Sequence, residues 1–392
     1  MTSFGTHLLP YGSFSTAGGA RRVGVAVDDG VLDLTAAAPR LVPDHAALFA
    51  GGTLDAFLAA GRSVWEQVRS ALLQHAAEED LLPLADVVLH LPFTVADYVD
   101  FYASEAHATN VGRMFRPDSD PLPAAWKHLP IGYHGRAGTV VVSGTAVQRP
   151  QGLRRTAEGV AFGRSLRLDL EAEVGFVVGS PSELGTSVPV GAFADHVFGV
   201  CLVNDWSARD VQAFETVPLG PFLGKSFATS VSPWVVPLQA LEHVRAEPPE
   251  RDVPIAPYLD DRLHPWGLDL SLEVSINGTV VSRPEFRDMY WTGAQQLAHL
   301  TVNGASLRTG DLYASGTVSG PERDRRGCLL ELSWNGTEPV ALDDGTTRTF
   351  LEDGDVVVVR ATTADPGGGV VHLGEVRGTV VPASEAAGSG RA

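Results

Sequence analysis

Cysteines and long apolar runs are scarce in this sequence. Cys201 and Cys328 are its only cysteines in 392 residues, and each lies in an apolar stretch. Two buried thiols in a chain of this length indicate a reducing cytoplasm rather than a disulfide-stabilised, secreted protein. The N-terminus has no basic segment followed by an apolar run, and no segment approaches the roughly 18 apolar residues of a membrane span. The sequence therefore predicts neither a signal peptide nor a membrane helix.

Positive charge is also scarce. The chain has 29 Lys and Arg against 47 Asp and Glu, which gives a formal net charge of −18. A protein that binds nucleic acid or an anionic membrane needs a basic face, so we expect neither partner. Hydrophobic residues make up 44% of the chain and charged residues 19%, which excludes disorder of the whole chain.

Several common catalytic motifs are missing from the sequence. It contains no phosphate-binding Gly-x-x-x-x-Gly-Lys-Ser/Thr loop, no Gly-x-Gly-x-x-Gly after a strand, no His-Glu-x-x-His and no Gly-x-Ser-x-Gly. These absences argue against a nucleotide-binding protein, a zinc protease of that type and an α/β-hydrolase.

Lysine is nearly absent, because Lys127 and Lys225 are the only two among 29 basic residues. A composition that favours arginine this strongly retains lysine by chance or where the site needs a compact ammonium, which a guanidinium cannot imitate. Lys225 lies in a Gly-Lys-Ser sequence and is therefore a candidate site residue, with chance retention as the alternative.

The chain is rich in turn-forming residues, with 42 Gly and 26 Pro that follow no collagen period. Such a composition indicates many tight turns between short strands. At roughly 100–200 residues per domain, the length predicts two domains. We expect a small domain over residues 1–92, a larger, mostly β catalytic domain over 93–382 and a flexible tail over 383–392.

Local patterns predict a few helices among many strands. Apolar residues recur at helical spacing over 53–79 and over 285–300, and we expect a helix in each range. Asn277-Gly278 and Asn335-Gly336 each lie between apolar runs, a pattern that predicts two β-hairpins.

An acidic stretch carries the clearest chemical signal. In a strand, alternate residues share a face, so Asp169, Glu171 and Glu173 are expected to project together. Neighbouring carboxylates repel each other, and a divalent cation such as Mg²⁺ or Ca²⁺ would turn that repulsion into coordination. The alternative is a solvated outer face of an edge strand.

Three further stretches combine residues of catalytic type. Asp205 lies at the end of an apolar strand, and the alternative to a site role is that it caps the start of a short helix. Arg209 and Gln212 are three residues apart, so one helical turn would place them on the same face. His107 lies among acids and tyrosines, but a lone histidine is more often structural. Glu331 is predicted to lie in an apolar strand, where a carboxylate is costly to bury without a hydrogen-bonding partner. We expect that partner to be a histidine.

Together these stretches resemble the fumarylacetoacetase family. The motifs that carry the resemblance are Leu9 to Gly12, Asp100 to Tyr102, His107 to Gly112, Leu129 to Arg136, Glu171 to Glu173, Asn204 to Asp210 and Pro218 to Ser226. The similarity extends over about residues 7–380. It implies a mostly β fold with some helix: a small N-terminal SH3-like β-barrel domain with a helical appendage, then a large mixed β-roll. It also implies a homodimer that hydrolyses a carbon–carbon bond of 4-fumarylacetoacetate, a dianionic diketo acid, in tyrosine and phenylalanine catabolism.

The resemblance also implies a role for individual residues. Ca²⁺ or Mg²⁺ would be held by Asp100, Glu171, Glu173 and Asp205, with a second cation near Asp205, Lys225 and Thr229. The catalytic group would be His107, Glu331, Arg209, Gln212 and Lys225. The substrate would contact Tyr102, Arg116, Tyr133, Gln212 and Thr317. Thr216 stands where the family usually has a tyrosine, which affects part of the substrate contact.

Two other functions remain open at this point. Thr216 allows a related hydrolase that acts on an acylpyruvate or another diketo acid. A catalytically silent cation-binding or scaffold protein would keep the four acids, but it would have no need of His107 or Lys225.

Overall fold

The computed structural model describes residues 3–384, and its fold is mostly β with short helices. Most of the predicted flexible tail, residues 385–392, lies outside the described residues. The first strands are β1 (Tyr11–Thr16), β2 (Arg22–Val27), β3 (Gly30–Asp33), β4 (Leu82–Pro83), β5 (Val87–His90), β6 (Tyr98–Phe101), β7 (Gly132–His134), β8 (Val140–Val142), β9 (Val147–Gln148), β10 (Gln151–Thr156), β11 (Gly159–Arg164), β12 (Leu168–Asp169) and β13 (Ala172–Val178).

The remaining strands and the α-helices complete the described part of the chain. The strands are β14 (Val197–Asp205), β15 (Ser207–Ala208), β16 (Thr229–Val231), β17 (Trp234–Pro237), β18 (Arg245–Ala246), β19 (Gly267–Leu268), β20 (Ser271–Ile276), β21 (Thr279–Ser282), β22 (Leu312–Ala314), β23 (Val340–Ala341), β24 (Thr347–Arg348), β25 (Val356–Ala364) and β26 (Val370–Val381). The helices are α1 (Leu34–Leu41), α2 (Asp55–Ala59), α3 (Arg62–His75), α4 (Glu105–Phe115), α5 (Phe193–His196), α6 (Arg209–Glu215), α7 (Gly293–Thr301) and α8 (Leu329–Leu332).

Two sheets form the centre of the molecule. A 13-stranded sheet has the main order β4-β3-β2-β1-β17-β14-β13-β22-β6-β7, with β5, β8 and β16 attached beside it. A five-stranded sheet has the order β21-β20-β25-β26-β9, and its strands β25 and β26 contact β14. Every residue of β13 and β14 is buried, so these neighbouring strands can hold polar groups away from water.

The N-terminal strands belong to the large sheet. β1 pairs with β2 and β5, and it also pairs with β17 through Tyr11 opposite Val235 and Gly12 opposite Trp234. Gly12 permits this approach because a Cβ there would lie 2.7 Å from the Trp234 ring. Within residues 3–384, no strand pair closes these strands into the SH3-like barrel that the resemblance implies.

Both predicted helices are shorter than expected. The range 53–79 holds α2 and α3, which are separated at Gly61, where φ is +84°. The range 285–300 has a 3-10 turn at Phe286–Asp288 and is α-helical only from Gly293, because Thr292 and Gln295 form a capping box that starts α7 there. Before this cap, the N–H of Phe286 donates to the carbonyl of Leu270, which ties the segment to the neighbouring chain instead.

One of the two predicted hairpins is present. Asn277 and Gly278 have φ of +50° and +86° and connect β20 to β21, as a two-residue hairpin turn requires. The second prediction is wrong, because the Asn335-Gly336 turn follows α8 rather than a strand. The N–H of Asn335 donates to the carbonyl of Leu330, so the turn ends a helix.

Candidate metal centre and active site

Four carboxylates from neighbouring strands meet in the interior. Asp100 lies on β6, Glu173 lies on β13 with Glu171 just before it, and Asp205 is the last residue of β14. Each contributes one carboxylate oxygen to a group whose atoms all lie within 4.8 Å of one another. None of the four residues is more than 5% exposed.

Backbone pairing holds the acids in register. The N–H of Asp205 donates to the carbonyl of Glu171 at 3.1 Å, and the N–H of Glu171 donates to the Asn204 side chain at 3.1 Å. The parallel pair of β6 with β22 places Asp100 opposite Ala314. The acids are therefore brought together by the sheet and not by side-chain flexibility.

The chemistry of this cluster fits a divalent cation. Burial raises the pKa of Asp100, Glu173 and Asp205 above the usual carboxyl range. One oxygen of Asp100 and both oxygens of Glu173 are buried without a hydrogen-bond donor among the described residues. Buried carboxylates without donors are costly, and an all-oxygen set is what Mg²⁺ or Ca²⁺ prefers. A solvated strand face is excluded by the burial, so the cluster is a candidate divalent-cation site.

Asp169 does not belong to this cluster, contrary to the prediction that it shares a face with the two glutamates. The alternation fails because the chain leaves the strand between β12 and β13. The Asp169 carboxylate accepts hydrogen bonds from the backbone N–H groups of Leu329 at 2.8 Å and Leu330 at 3.1 Å. It also accepts from Nε of Arg209 at 2.8 Å. Asp169 therefore ties the start of α8 to Arg209.

Lys225 is placed among the carboxylates. Its Nζ lies 2.5 Å from Oδ2 of Asp205 and 3.8 Å from Oδ2 of Asp100, and it also donates to Oε2 of Glu171. Burial lowers the pKa of this ammonium, but Asp205 and Glu171 outweigh burial and raise the pKa above its usual value. Lys225 is therefore a charged group that partly balances the four acids.

Arg209 and Gln212 lie on one face of α6, as their spacing predicts. Nη2 of Arg209 lies 2.7 Å from Oε1 of Glu171, and Nη1 donates to the Gln212 side-chain oxygen at 3.4 Å. Burial raises the pKa of Glu171, but Arg209 and then Lys225 outweigh burial and keep the pKa low. Glu171 is therefore the acid of the cluster that stays ionised.

His107 and Glu331 form a buried pair although they are 224 residues apart in the chain. Nδ1 of His107 lies 2.5 Å from Oε2 of Glu331. Burial raises the pKa of Glu331, but His107 and further hydrogen-bond donors outweigh it and lower the pKa to about 2. The carboxylate thus accepts from Nδ1–H, which leaves Nε2 as the basic nitrogen of the ring.

Glu331 lies on the short helix α8 and not on the predicted strand. Two side chains that sequence reasoning missed also donate to the Glu331 carboxylate: Nδ2 of Asn110 at 2.8 Å and Oγ of Ser319 at 2.7 Å. Asn110 is three residues from His107 on α4, so its helical spacing was the available signal. Ser319 gave no comparable signal.

Thr317 and Tyr102 are two of the predicted substrate-binding residues. The Thr317 hydroxyl is buried and has no hydrogen-bond partner among the described residues. Gly316 before it has φ of +77°, and a Cβ there would lie 2.1 Å from the carbonyl of Phe101, so only glycine permits this approach to β6. The Tyr102 ring lies 5.3 Å from the His107 ring, edge to face.

Of the other predicted pocket residues, Tyr133 lies beside the carboxylates and Arg116 does not. Tyr133 lines a cavity of about 200 Å³ together with Asp205, Lys225 and Thr229. The Thr229 hydroxyl donates to Oδ1 of Asp205 at 2.8 Å. Arg116 is not brought to the cluster, because it is exposed at the end of α4.

Two side chains near the predicted pocket are bonded to backbone. The Arg116 guanidinium donates to the carbonyl of Pro121 at 2.6 Å. The Thr216 hydroxyl donates to the carbonyl of Gln212 at 2.6 Å within the end of α6. Thr216 therefore has its hydroxyl committed to the helix, where a tyrosine could extend beyond it.

The raised carboxyl pKa values predict how cation stabilisation depends on pH. A carboxyl with a higher pKa in the folded state binds more protons when folded, so its ionisation lowers the free energy of unfolding as pH rises. Protons and a cation compete for the same oxygens of Asp100 and Glu173. We therefore expect the increase in Tm on adding Ca²⁺ to chelated protein to grow as the pH rises above the usual carboxyl range.

Thermal unfolding of matched EDTA and Ca²⁺ samples checks this. The difference between the two samples is the useful quantity because histidines outside the site contribute to both alike. A difference that shrinks as pH rises would contradict ionisable ligands at the cluster.

Asp169 is expected to position two proposed catalytic residues: Arg209, which it contacts directly, and Glu331, which lies on the helix α8 that it binds. Asp169→Asn should lower kcat/KM by about 10–100-fold, the usual effect of losing a residue that orients ligands. Calorimetric binding of Ca²⁺ should change less than turnover because Asp169 is not among the four acids. Asp261→Asn is the matched control, since Asp261 is equally buried and faces Arg251. Equal losses of turnover in both variants would contradict a positioning role.

Comparisons with known families agree with this architecture. Residues 97–381 match the family described as Fumarylacetoacetate (FAA) hydrolase C-terminal, and residues 7–92 match the one described as Fumarylacetoacetase N-terminal. These family matches identify a hydrolase that acts on carbon–carbon bonds.

Curated relatives extend over nearly the whole chain. Fumarylacetoacetase of Bos taurus is 44% identical over 97% of this chain and 97% of its own length. The Caenorhabditis elegans protein of that name is 46% identical with 96% of each chain covered, and the Arabidopsis thaliana protein is 44% identical with 95% and 94% covered. The chain belongs to the fumarylacetoacetase family.

Solved structures share the fold at low sequence identity. Fumarylacetoacetate hydrolase from Exiguobacterium antarcticum has a TM-score of 0.58 at 17% identity, with 95% of this chain and 99% of that chain covered. Maleylpyruvate hydrolase from Sphingobium sp. SYK-6, solved with manganese(II) and pyruvate, has a TM-score of 0.54 at 16% identity, with 96% and 100% covered. Across residues 3–384, no helix is long and apolar enough to cross a membrane.

Proposed function

We propose that this chain hydrolyses a carbon–carbon bond of 4-fumarylacetoacetate, giving fumarate and acetoacetate in tyrosine and phenylalanine catabolism. The observation that carries the proposal is the buried His107–Glu331 pair beside four buried carboxylates, in a chain 44% identical to bovine fumarylacetoacetase.

The reaction sets clear chemical requirements. Water adds to one carbonyl carbon of the β-diketone, the bond to the neighbouring carbon breaks, and its electron pair leaves as an enolate that is then protonated. The site must therefore remove a proton from water and stabilise negative charge at two places: the tetrahedral oxyanion and the departing enolate.

His107 is proposed as the general base. Its Nδ1–H is held by Glu331, so Nε2 is free to accept the proton of water. Glu331 stays a carboxylate because Asn110 and Ser319 donate to it. A fixed carboxylate of this kind orients the imidazole and stabilises the imidazolium that forms.

Asp100, Glu171, Glu173 and Asp205 are proposed to hold Ca²⁺ or Mg²⁺. When bound, such a cation polarises carbonyl oxygen and neutralises developing enolate charge. We also propose a second cation near Asp205, Lys225 and Thr229, supported by the cavity that these residues line.

Positive and polar side chains would stabilise the remaining charge. Lys225 and Arg209 are buried cations beside the carboxylates, and Gln212 is bonded to Arg209. Preorganised donors of this kind are each worth about 3–4 kcal/mol on an oxyanion. The Thr317 hydroxyl, which has no hydrogen-bond partner within residues 3–384, would bind substrate. We propose that Tyr102, Tyr133 and Arg116 also contact it, although Arg116 must first leave Pro121.

Turnover of two substrates tests the proposal. We expect rapid loss of fumarylacetoacetate absorbance, with fumarate and acetoacetate as products, and slower turnover of an acylpyruvate. A clear preference for the acylpyruvate would favour the related hydrolase, which Thr216 keeps open. No turnover of either substrate by cation-bound protein would favour a cation-binding protein without catalytic activity.

The assembly and division of the chain remain proposals. We propose a homodimer, and a clean monomer in light scattering at micromolar concentration would contradict it. We also propose that residues 1–92 and 93–382 are its two units, the first joined to the second through β1 and β17. A cytoplasmic location remains a prediction.

A further inference from the structure

Cys328 is a buried thiol that the proposed hydrolysis does not use. It directly precedes α8, and its Sγ lies 3.2 Å from Oε2 of Glu331 and 4.0 Å from Nδ1 of His107. With the 2.5 Å contact between His107 and Glu331, these three atoms form a compact triangle. All three residues are buried, with exposed fractions of 3% or less.

The size of this triangle suits a metal ion. A point equidistant from Sγ, Nδ1 and Oε2 lies about 2.0 Å from each, given the three separations. Zinc binds imidazole nitrogen and carboxylate oxygen at about 2.0–2.2 Å and thiolate sulfur at about 2.3 Å. Tetrahedral angles at these bond lengths place the donors about 3.4–3.6 Å apart. A bound ion therefore requires Nδ1 and Oε2 to separate by about 0.9 Å and Sγ to move about 0.4 Å closer to Nδ1.

The donor type separates this triangle from the four-carboxylate cluster. Imidazole, thiolate and carboxylate together select zinc-like cations, whereas four carboxylates select Mg²⁺ or Ca²⁺. The two sites are neighbours, because Glu171 and Cys328 pair their backbones in an isolated β-bridge. When Mg²⁺ occupies the four-carboxylate cluster, the triangle of sulfur, nitrogen and oxygen donors therefore remains available to a second cation.

We infer that His107, Cys328 and Glu331 form a second metal site that takes Zn²⁺ or another thiophilic divalent cation, and that its occupation inhibits hydrolysis. Binding releases the thiol proton to solvent and moves the Nδ1 proton to Nε2, so that Nδ1 and the Glu331 carboxylate bind the cation instead of each other. With its proton on Nε2, the imidazole can no longer accept a proton from water. The inhibitory part rests on the proposed role of His107 as the base, whereas the binding part does not.

Cadmium gives a direct readout, because a thiolate-to-cadmium charge-transfer absorption appears in the ultraviolet when sulfur is a ligand. With saturating Mg²⁺ present, we expect one Cd²⁺ per chain to produce this absorption and Zn²⁺ to abolish turnover of the natural chain. Cys328→Ser and Cys328→Ala should both lose the absorption. We measure inhibition of each variant against its own rate without zinc. The Zn²⁺ concentration that halves this rate should be at least about 10-fold higher for both variants than for the natural chain. Cys201→Ser is the control, since Cys201 lies on β14 and should not affect either readout.

The outcomes separate this site from the proposed function. No absorption in the natural chain, or absorption that persists in both Cys328 variants, would overturn the metal site and leave the proposed hydrolysis untouched. Zinc inhibition that is equal in the natural chain and in both variants would place the inhibitory zinc elsewhere and overturn the inhibitory part. Absorption without loss of turnover would overturn the inhibition and count against His107 as the base.

Discussion

Glu173→Gln is expected to abolish divalent-cation binding and to lower kcat by on the order of 10³-fold or more, if the cation supplies several kcal/mol to the transition state. Glu173 is fully buried, and neither of its oxygens has a hydrogen-bond donor among the residues that the structure describes. The substitution keeps the shape of the side chain, removes its charge and replaces one acceptor oxygen by an NH2 donor. It thereby removes both an anionic ligand and one source of repulsion among the acids.

Stability gives an independent reading of this variant. Without a divalent cation, Glu173→Gln should unfold at a higher temperature than the natural chain, because burial raises the pKa of Glu173 and this shift costs stability near neutral pH, whereas an amide does not ionise. Ca²⁺ should raise the Tm of the natural chain and leave that of the variant unchanged.

Calorimetric titration of Ca²⁺ and Mg²⁺ measures binding in the same samples. Glu171→Ala should also lose the cation, although it additionally frees Lys225 and Arg209. Asp355→Asn is the control, because Asp355 is buried and bonded to Arg348 away from the cluster. Unchanged binding in both Glu171 and Glu173 variants would contradict the cation site.

Lys225→Met is expected to lower kcat and kcat/KM by similar factors of about 10²–10³, the effect of removing one oxyanion donor. The ammonium lies among the carboxylates of Glu171 and Asp205, where it can meet charge that develops in the transition state. Cation binding should persist in this variant, because the substitution removes a positive charge that competes with the cation.

Steady-state kinetics with two companion variants decides the role of Lys225. Lys225→Arg should rescue turnover only partly, since a forked guanidinium does not fit the space of an ammonium in a packed site. Lys127→Met is the control, because Lys127 pairs with Glu105 and Asp252 at the surface. A rise in KM with kcat nearly unchanged would show that Lys225 binds substrate in the ground state and would remove it from the catalytic group.

The residues of the site were more predictable from the sequence than their partners. Asp205 could be placed at a strand end, and Arg209 and Gln212 on one helical face, because both rules are local. Glu331 could be recognised as a buried acid that needs a partner. Its contact with His107 joins residues 224 positions apart, and local periodicity contains no information on such a distance.

Asp169 shows why periodicity failed within the acidic stretch. The alternation of Asp169, Glu171 and Glu173 assumes one continuous strand, whereas the chain has a break between β12 and β13. The break lets Asp169 bind the N–H groups that start α8, a tertiary contact with a segment 160 residues away. Likewise, α7 starts at a cap formed by Thr292 and Gln295, which overrides the apolar spacing that precedes it.

The central claim is that hydrolysis depends on a divalent cation held by the four buried carboxylates. The most direct test is to strip the chain with EDTA, titrate Ca²⁺ or Mg²⁺ back, and follow bound cation and loss of fumarylacetoacetate absorbance in the same samples. We predict no measurable turnover in EDTA and a rate that rises in proportion to occupancy of the site, with Glu173→Gln remaining inactive throughout. Full turnover by the stripped chain would contradict the claim.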